Sequence, residues 1–330
     1  MTTRRAFLSA LAAVAVARPA AAQPSFTSDP LPSWNPGDAK REIIIYVSKV
    51  TREGKGFVPP EERVAVFDND GTLWCEQPVY AQLAFVFDRI GDMAAKDSSL
   101  LANPAFKAMA AKDMAAVARL GPKDLLAAMA ASQAGLTPEA YRAVAADWLA
   151  KARHPRFNVP YTALVYQPQL DLLAYLRANG FATWIVSGGD VEFMRAFAQA
   201  TYGIPPEQVI GSSQKTDFTL NGPQGSVVET AGLNSLDDGP AKASNIALHI
   251  GRPALVAVGN SDGDQQMLEY SASSARPNLQ ILIHHDDAAR EYAYDRTSAI
   301  GKLDKALDEA RPRGWTVVSM KSDWKTVFPA

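Results

Sequence analysis

The sequence predicts an α/β fold: a doubly wound parallel sheet that carries an inserted all-helical segment. A short apolar segment, Val64–Phe67, precedes a run of acidic and turn residues, which indicates a buried strand. Residues 78–160 are rich in Ala, Leu and Met and lack a strand pattern, which predicts helices only. From residue 161 onwards, strand-like and helix-like segments alternate, as in parallel sheets with helices on both faces.

A helix is expected before the first strand, because Asn35-Pro36 combines a preferred capping residue with a proline suited to the first turn. This helix should run to about Arg52, where glycines interrupt the pattern. In the inserted segment, helix formers recur at helical spacing between glycines and prolines. The predicted helices there cover residues 79–93, 104–118, 122–131 and 138–152.

The alternating part of the chain supplies the rest of the predicted sheet. Asn221-Gly222 predicts a hairpin within residues 208–230, since this dipeptide favours the tight turns that join antiparallel strands. The other predicted strands are 182–186, 254–258, 279–283 and 315–320. The predicted helices are 168–179, one from residue 190, 242–250, 263–270 and 301–310.

Residues 1–22 have the three parts of a signal peptide and are not expected to belong to the fold. Arg4-Arg5 forms a twin-arginine pair, an apolar run continues to Ala17, and Ala20-Ala21-Ala22 offers small residues for cleavage. The apolar run is shorter than the roughly 20 residues that cross a bilayer. We therefore expect an exported, periplasmic protein that does not remain in the membrane after the signal is removed.

The composition argues against some classes of partner and cross-link. The net charge is −2 at pH 7 and no basic run alternates with aromatic residues, so nucleic acid is not an expected partner. The single cysteine, Cys75, allows no internal disulfide, and we expect it to be a packing residue. The sequence indicates no particular oligomeric state.

Two acidic residues follow the first strand, and their spacing is informative. Side chains two residues apart in an extended segment point to the same side, so Asp68 and Asp70 should lie together. The carboxyl end of a buried strand is where open α/β sheets bind ligands. Adjacent carboxylates repel each other, and a hard divalent cation such as Mg2+ would relieve that repulsion.

The segment Asp68-Asn69-Asp70-Gly71-Thr72 after an apolar strand resembles motif one of the haloacid dehalogenase-like (HAD) superfamily. The arrangement of the later segments resembles the phosphoserine-phosphatase-like branch of that superfamily. This resemblance implies an HAD-like, Rossmannoid core made of residues 23–77 and 161–330. Residues 78–160 would then be a helical cap inserted after motif one.

Three further segments resemble the remaining motifs of this superfamily. Ser187-Gly188-Gly189 resembles motif two, in which a hydroxyl and nearby backbone amides hold a phosphate. Lys242 takes the place of the motif-three lysine, with Lys215 as a second candidate. Motif four departs from the family pattern, because Asn260 stands where its first aspartate is expected and only Asp264 matches the second.

The resemblance implies a phosphomonoesterase that acts on a small phosphorylated metabolite through an aspartyl-phosphate intermediate. Asp68 would be the nucleophile, and Asp70 would be the general acid and then the general base. Ser187 and Lys242 would hold the phosphoryl oxygens.

The resemblance also implies a Mg2+ cofactor. Asp68, the backbone carbonyl of Asp70 and the neutral Asn260 would hold the ion. Asp264 would orient these ligands. Alternatively, Asp262 or Asp264 would contribute more directly.

Substrate recognition allows two interpretations of the residues after motif one. Glu76 and Trp74 would favour a cationic leaving group, as in phosphoserine or phosphocholine, through charge and cation–π contact. In the other interpretation Glu76 caps a helix and Trp74 packs beneath the cap. A structural role is expected for His284 and His285, because adjacent residues on a strand point to opposite faces and cannot easily share a metal ion.

Three other functions remain open. A haloacid dehalogenase would share the fold, but Asp70 and the acidic motif four argue against it. An exported protein that binds phosphate compounds without turning them over is favoured only by Asn260. Phosphotransfer to an alcohol would use the same residues, and only product analysis separates it from hydrolysis.

Overall fold

The structure is a computed structural model that describes residues 29–330. The predicted signal peptide therefore lies outside the described residues. None of the helices within residues 29–330 has the length and apolar character needed to cross a bilayer.

A mixed, mainly parallel sheet forms the centre of the molecule. Six strands run parallel in the order β3-β2-β1-β5-β6-β8, while β4 pairs antiparallel with β3 and β7 antiparallel with β6. The strands in the described part of the chain are β1 (Val64–Phe67), β2 (Ala182–Asp190), β3 (Val209–Asn221), β4 (Gln224–Ser235), β5 (Val256–Gly259), β6 (Leu279–Asp286), β7 (Ala293–Tyr294) and β8 (Thr316–Ser319).

Helices cover this sheet and form the whole of the inserted segment. Between β1 and β2 the described residues contain helices and turns but no strand. The α-helices within residues 29–330 are α1 (Asp38–Thr51), α2 (Ala81–Lys96), α3 (Pro104–Ala110), α4 (Met114–Val117), α5 (Pro122–Gln133), α6 (Pro138–Lys151), α7 (Gln167–Ala178), α8 (Val191–Arg195), α9 (Ala198–Tyr202), α10 (Pro240–His249), α11 (Gln265–Ala272), α12 (Lys305–Ala310) and α13 (Met320–Asp323).

Both faces of the sheet are buried, as the entirely apolar β1 predicts. Alternate residues of β1 point to opposite faces. Ala65 and Phe67 join the larger core cluster, whereas Val64 and Val66 join a second cluster that contains Ile246 of α10. The prediction of a doubly wound α/β fold with a helical insertion is confirmed. The division into a core and a separate cap domain at residues 78–160 stays a prediction.

Local differences from the predicted elements have identifiable causes. The helix predicted at 104–118 is broken into α3 and α4, because Lys112 has a positive φ of 51° and the Asp113 side chain caps the start of α4. The helix predicted from Asn35 begins at Asp38, since the Asn35 side chain instead donates to a carbonyl near the C-terminus.

Two elements near the functional residues also differ. The strand predicted at 182–186 continues through the Ser-Gly-Gly segment to Asp190, with a shift of register against β3 after Ser187. Strand β7 was not predicted, because two residues are too short for a periodic pattern.

The order of the strands brings distant segments together. β1 lies between β2 and β5, so the chain crosses from one side of β1 to the other between these strands. The carboxyl ends of β1 and β5 flank this switch point, where α/β sheets open a crevice. Asp68 and Asn260 directly follow those two ends.

Candidate active site

The loop after β1 holds two carboxylates in a tight turn. The backbone N–H of Asp68 donates to the carbonyl of Val258 in β5, 2.9 Å away. The Trp74 indole N–H donates to the Asp70 carboxylate at 2.8 Å. Gly71 has a φ of +72°, and a Cβ at this position would collide with the side chains of Asn260 and Glu76. Only glycine therefore permits both the turn and the close approach.

A buried lysine joins the first carboxylate to a second one. The Lys242 ammonium donates to Asp68 Oδ1 at 2.8 Å and to Asp264 Oδ1 at 2.5 Å. Burial alone would lower the pKa of Lys242, but the charges of Asp264 and Asp68 outweigh burial and raise it above its usual value. Lys242 is therefore a fixed cation. Lys215, the second candidate for this role, is exposed on β3.

Asp264 organises the loop after β5. Its Oδ2 accepts hydrogen bonds from the backbone N–H groups of Asn260 and Ser261, each at 3.0 Å, while its Oδ1 accepts from Lys242. Both oxygens are thus engaged, and the side chain is fully buried. This geometry suits a residue that orients the site. Asp262 is engaged elsewhere, since its Oδ1 accepts backbone N–H groups at the start of α12.

Asn260 lies between a donor and an acceptor. Its Oδ1 accepts from the Thr72 hydroxyl at 3.0 Å, and its Nδ2 donates to Glu76 Oε1 at 2.8 Å. The same Glu76 oxygen accepts from the Tyr294 hydroxyl at 2.8 Å. Tyr294 was missed in the sequence because it lies on the short strand β7, outside every recognisable motif.

Ser187 is buried in the second half of β2, and its hydroxyl proton is available. Its Oγ accepts the backbone N–H of Gly189 at 3.3 Å, which leaves the hydroxyl proton free to be donated. Gly188 and Gly189 expose backbone beside it.

Burial dominates the titration of the acidic groups. Burial raises the pKa of Asp70 above its usual value, although hydrogen bonds from Trp74 and Asn69 oppose the shift. Burial also raises the pKa of Glu76 well above its usual range, with the charges of Asp70 and Asp68 adding to the effect. Burial and the charge of Asp264 raise the pKa of Asp68 to about 7, while Lys242 lowers it.

Trp74 and the histidine pair have packing and supporting contacts. The Trp74 ring stacks on Phe197 with centroids 4.5 Å apart. His285 is buried, stacks on Tyr294 and bonds through Nε2 to the carbonyl of Gly71 at 2.8 Å, so it supports the motif-one loop. His284 contacts Asp295 instead, and the two rings do not share a partner.

A cavity of about 410 Å³ opens above these residues. Seven of the residues singled out in the sequence line it: Asp68, Asp70, Glu76, Ser187, Gly188, Gly189 and Lys242. Trp74, Asn260 and Asp264 lie behind this lining. The opposite wall consists largely of apolar side chains from α2 and α5. Such a combination of convergent polar groups and apolar wall is typical of a small-molecule site.

The residues present fit a divalent cation held by oxygen atoms. Lys242 is the only basic side chain among the described residues that line the cavity, against the carboxylates of Asp68, Asp70, Glu76 and Asp238. Within residues 29–330 no group of three or more His, Cys, Asp or Glu side chains is arranged to hold a metal. A metal here would therefore have mixed ligands: the Asp68 carboxylate, the Asp70 backbone carbonyl and the Asn260 amide oxygen.

Comparisons with known proteins identify the family of this chain. The family model of haloacid dehalogenase-like hydrolases matches residues 65–269, which contain all four motifs. The sequence has no match among curated proteins. A conserved protein of unknown function from Anaerococcus prevotii DSM 20548 is similar in structure, with 14% identity, a TM-score of 0.57, and coverage of 88% of this chain and 94% of that one.

Two phosphatase-related proteins are less similar in structure. A phosphoserine phosphohydrolase-like protein from Francisella tularensis is 17% identical, with a TM-score of 0.39 and coverage of 76% of this chain and 98% of that one. A probable phosphoserine phosphatase from Vibrio cholerae is 14% identical, with a TM-score of 0.38 and coverage of 84% and 74%.

Proposed function

Because this chain belongs to the haloacid dehalogenase-like hydrolases, we propose that it is a Mg2+-dependent phosphomonoesterase that works through an aspartyl-phosphate on Asp68. The observation that carries the proposal is the position of Asp68. Its carboxylate lines the cavity at the end of β1, is bound by the Lys242 ammonium, and has Asp70 two residues away. A nucleophile, a fixed cation and a candidate proton donor thus meet in one cavity.

In the first step Asp68 attacks phosphorus. Its Oδ1 is held by Lys242, and its Oδ2 has no hydrogen-bond partner among the described residues, so Oδ2 is the attacking atom. A bond forms between Oδ2 and phosphorus while the bond from phosphorus to the ester oxygen breaks. Asp70 gives its proton to the leaving alkoxide, and its raised pKa favours the protonated form that this step requires.

In the second step water attacks the phosphoryl group on Asp68. Asp70, now ionised, accepts a proton from this water, and phosphate and free Asp68 are released. The Ser187 hydroxyl and the remaining N–H of Lys242 donate to phosphoryl oxygens throughout.

Charge neutralisation would be supplied by Mg2+ when it is bound to Asp68, the Asp70 carbonyl and Asn260. Asp264 would support this set indirectly, because it fixes the backbone of Asn260 and the ammonium of Lys242.

The test is hydrolysis of p-nitrophenyl phosphate by the purified protein with Mg2+ and with EDTA. We expect metal-dependent release of p-nitrophenol that Asp68→Asn lowers by at least about a thousandfold, because the nucleophile is lost. Asp217→Asn, which changes an exposed aspartate on β3, is the matched control and should keep full activity. Equal activity of Asp68→Asn and the control, or no release with any divalent metal, would contradict the proposal.

A further inference from the structure

One part of the cavity lining is an apolar wall. It is formed by Leu83 of α2, by Pro122, Leu125, Leu126 and Met129 of α5, and by Leu236 before α10. Leu236 keeps 45% of its surface exposed, and Leu125 and Met129 are only half-buried. Binding is favoured when an apolar ligand covers apolar surface that is open inside a cavity, because that surface is removed from water.

Nothing on this wall would bind a second anionic group of a substrate. Lys242 is the only basic side chain among the described residues that line the cavity, and it already binds two carboxylates. Two cationic side chains of the inserted helices have partners elsewhere. Arg142 pairs with Glu192 at 2.7 Å, and Lys112 pairs with Asp88 at 2.5 Å.

An ammonium group on the substrate would meet a carboxylate that is already partly engaged. Glu76 is 2% exposed, and its Oε1 already accepts from Asn260 and Tyr294. The Trp74 ring is buried against Phe197 and does not line the cavity. Asp238 lines the cavity but is exposed to solvent, which screens its charge. The Trp74 contact of the cation-binding interpretation therefore has no support in this geometry, and Glu76 would have only its Oε2 left for a cation.

One polar group on this side of the cavity does lack a partner. Gln82 lines the cavity at the start of α2 and is only 6% exposed. Its Oε1 accepts the backbone N–H of Asp190 at 2.8 Å, which fixes the orientation of the amide. Its Nε2 is buried without a hydrogen-bond partner among the described residues. An unpaired buried donor of this kind is costly unless a ligand satisfies it.

We propose that the substrate is a phosphomonoester of an uncharged, mainly apolar alcohol, an inference that rests on the proposed function. The alcohol portion lies against Leu125 and Met129 of α5, and Gln82 Nε2 donates to an oxygen of the ester. Gln82 thereby positions the ester beside Asp70, since both side chains approach Gly189.

Three esters of similar length test the charge preference. Butyl phosphate is uncharged at its far end, 3-aminopropyl phosphate carries an ammonium there, and the phosphate ester of 3-hydroxypropionate carries a carboxylate. We expect kcat/KM for butyl phosphate to exceed both others at least tenfold. Lengthening butyl to hexyl should raise kcat/KM by about fourfold for each methylene that becomes buried. Equal values, or a preference for either charged ester, would overturn the inference.

Variants locate the preference in the named residues. Leu125→Lys should lower kcat/KM for butyl phosphate at least tenfold and improve the relative value for the carboxylate ester. Met114→Lys is the control, because Met114 is 49% exposed on α4 and does not line the cavity. An unchanged ratio between esters in Leu125→Lys would count against the assigned wall.

Two substitutions separate the donor of Gln82 from its acceptor. Gln82→Glu keeps the oxygen that binds Asp190 but removes the donor, and Gln82→Met removes both without adding charge. We expect KM to rise at least tenfold in both variants. A rise in Gln82→Glu alone would assign the effect to charge and overturn the role of the donor. If no ester is hydrolysed at all, the proposed function is wrong. If all the esters are hydrolysed with the same kcat/KM, only this inference is wrong.

Discussion

Asn260 and Glu76 form a buried pair in which each residue depends on the other. The Asn260 amide donates to Glu76, and the Thr72 hydroxyl donates to Asn260, so each end of the amide has its own partner. In motif four the resemblance implies an aspartate here. An aspartate would retain the bond from Thr72 but would face the Glu76 carboxylate directly, so the asparagine suits a site in which Glu76 is present.

We predict that Asn260→Asp lowers the free energy of unfolding by about 1–3 kcal/mol in EDTA, because a buried donor is replaced by a second acceptor. Urea unfolding of the metal-free protein measures this change.

The double variant Asn260→Asp with Glu76→Gln is the matched control. It again places one donor opposite one acceptor, so it should recover at least half of the stability lost by Asn260→Asp. If the double variant loses as much stability as Asn260→Asp and Glu76→Gln lose together, the two residues are not coupled.

At the scale of single elements, the end of β2 connects the candidate site to the inserted helices. Asp190 ends β2 and caps α8, with its Oδ1 accepting the backbone N–H groups of Glu192 and Phe193 at 2.9 and 3.0 Å. Its Oδ2 accepts from Gln133 at the end of α5, 2.8 Å away. The last residue of β2 thus joins the strand to α8 through two hydrogen bonds and to α5 through one.

Burial raises the pKa of Asp190 from 3.8 to about 6. The folded protein thus binds more protons than the unfolded chain between about pH 4 and 6, and this group lowers stability as the pH rises through that window. The cost of the ionised form at pH 7 is about 3 kcal/mol.

We predict that Asp190→Asn removes this pH dependence. Asparagine keeps the oxygen that caps α8, and its amide can donate to Gln133 Oε1, which has no hydrogen-bond partner among the described residues. Thermal unfolding from pH 4 to 7 should show a flatter stability profile in the variant than in the parent, with the largest gain at pH 7. The assignment of the pH dependence to Asp190 would be contradicted if the variant were less stable at pH 7 and its stability changed with pH as much as that of the parent.

At the scale of the whole molecule, the sequence predicts the sheet and most of the site. The apolar strands and the acidic or hydroxyl residues at their ends are local patterns, so Asp68 and Ser187 are recognisable without coordinates. Lys242 and Asn260 are recognised through the resemblance to the superfamily motifs. The parallel order of the strands then brings them to one edge.

Other contacts depend on pairing that no local pattern encodes. Tyr294 reaches Glu76 because β7 pairs with the end of β6, and Gln82 enters the cavity because α2 leans over the end of β2. The hydrogen bonds that Glu76 accepts from Asn260 and Tyr294 affect whether Glu76 can bind an amine. Since these contacts cannot be predicted from the sequence, the sequence alone leaves substrate recognition open.

Trapping the phosphoryl group during turnover shows whether Asp68 carries it, as the proposed function requires. The protein is mixed with p-nitrophenyl phosphate and Mg2+ and quenched in acid within milliseconds, and its peptides are analysed by mass spectrometry. We predict one phosphoryl group on the peptide that contains Asp68, and none on the same peptide from Asp68→Asn. Release of p-nitrophenol without a phosphoryl group on Asp68, or with one on another residue, would contradict the account.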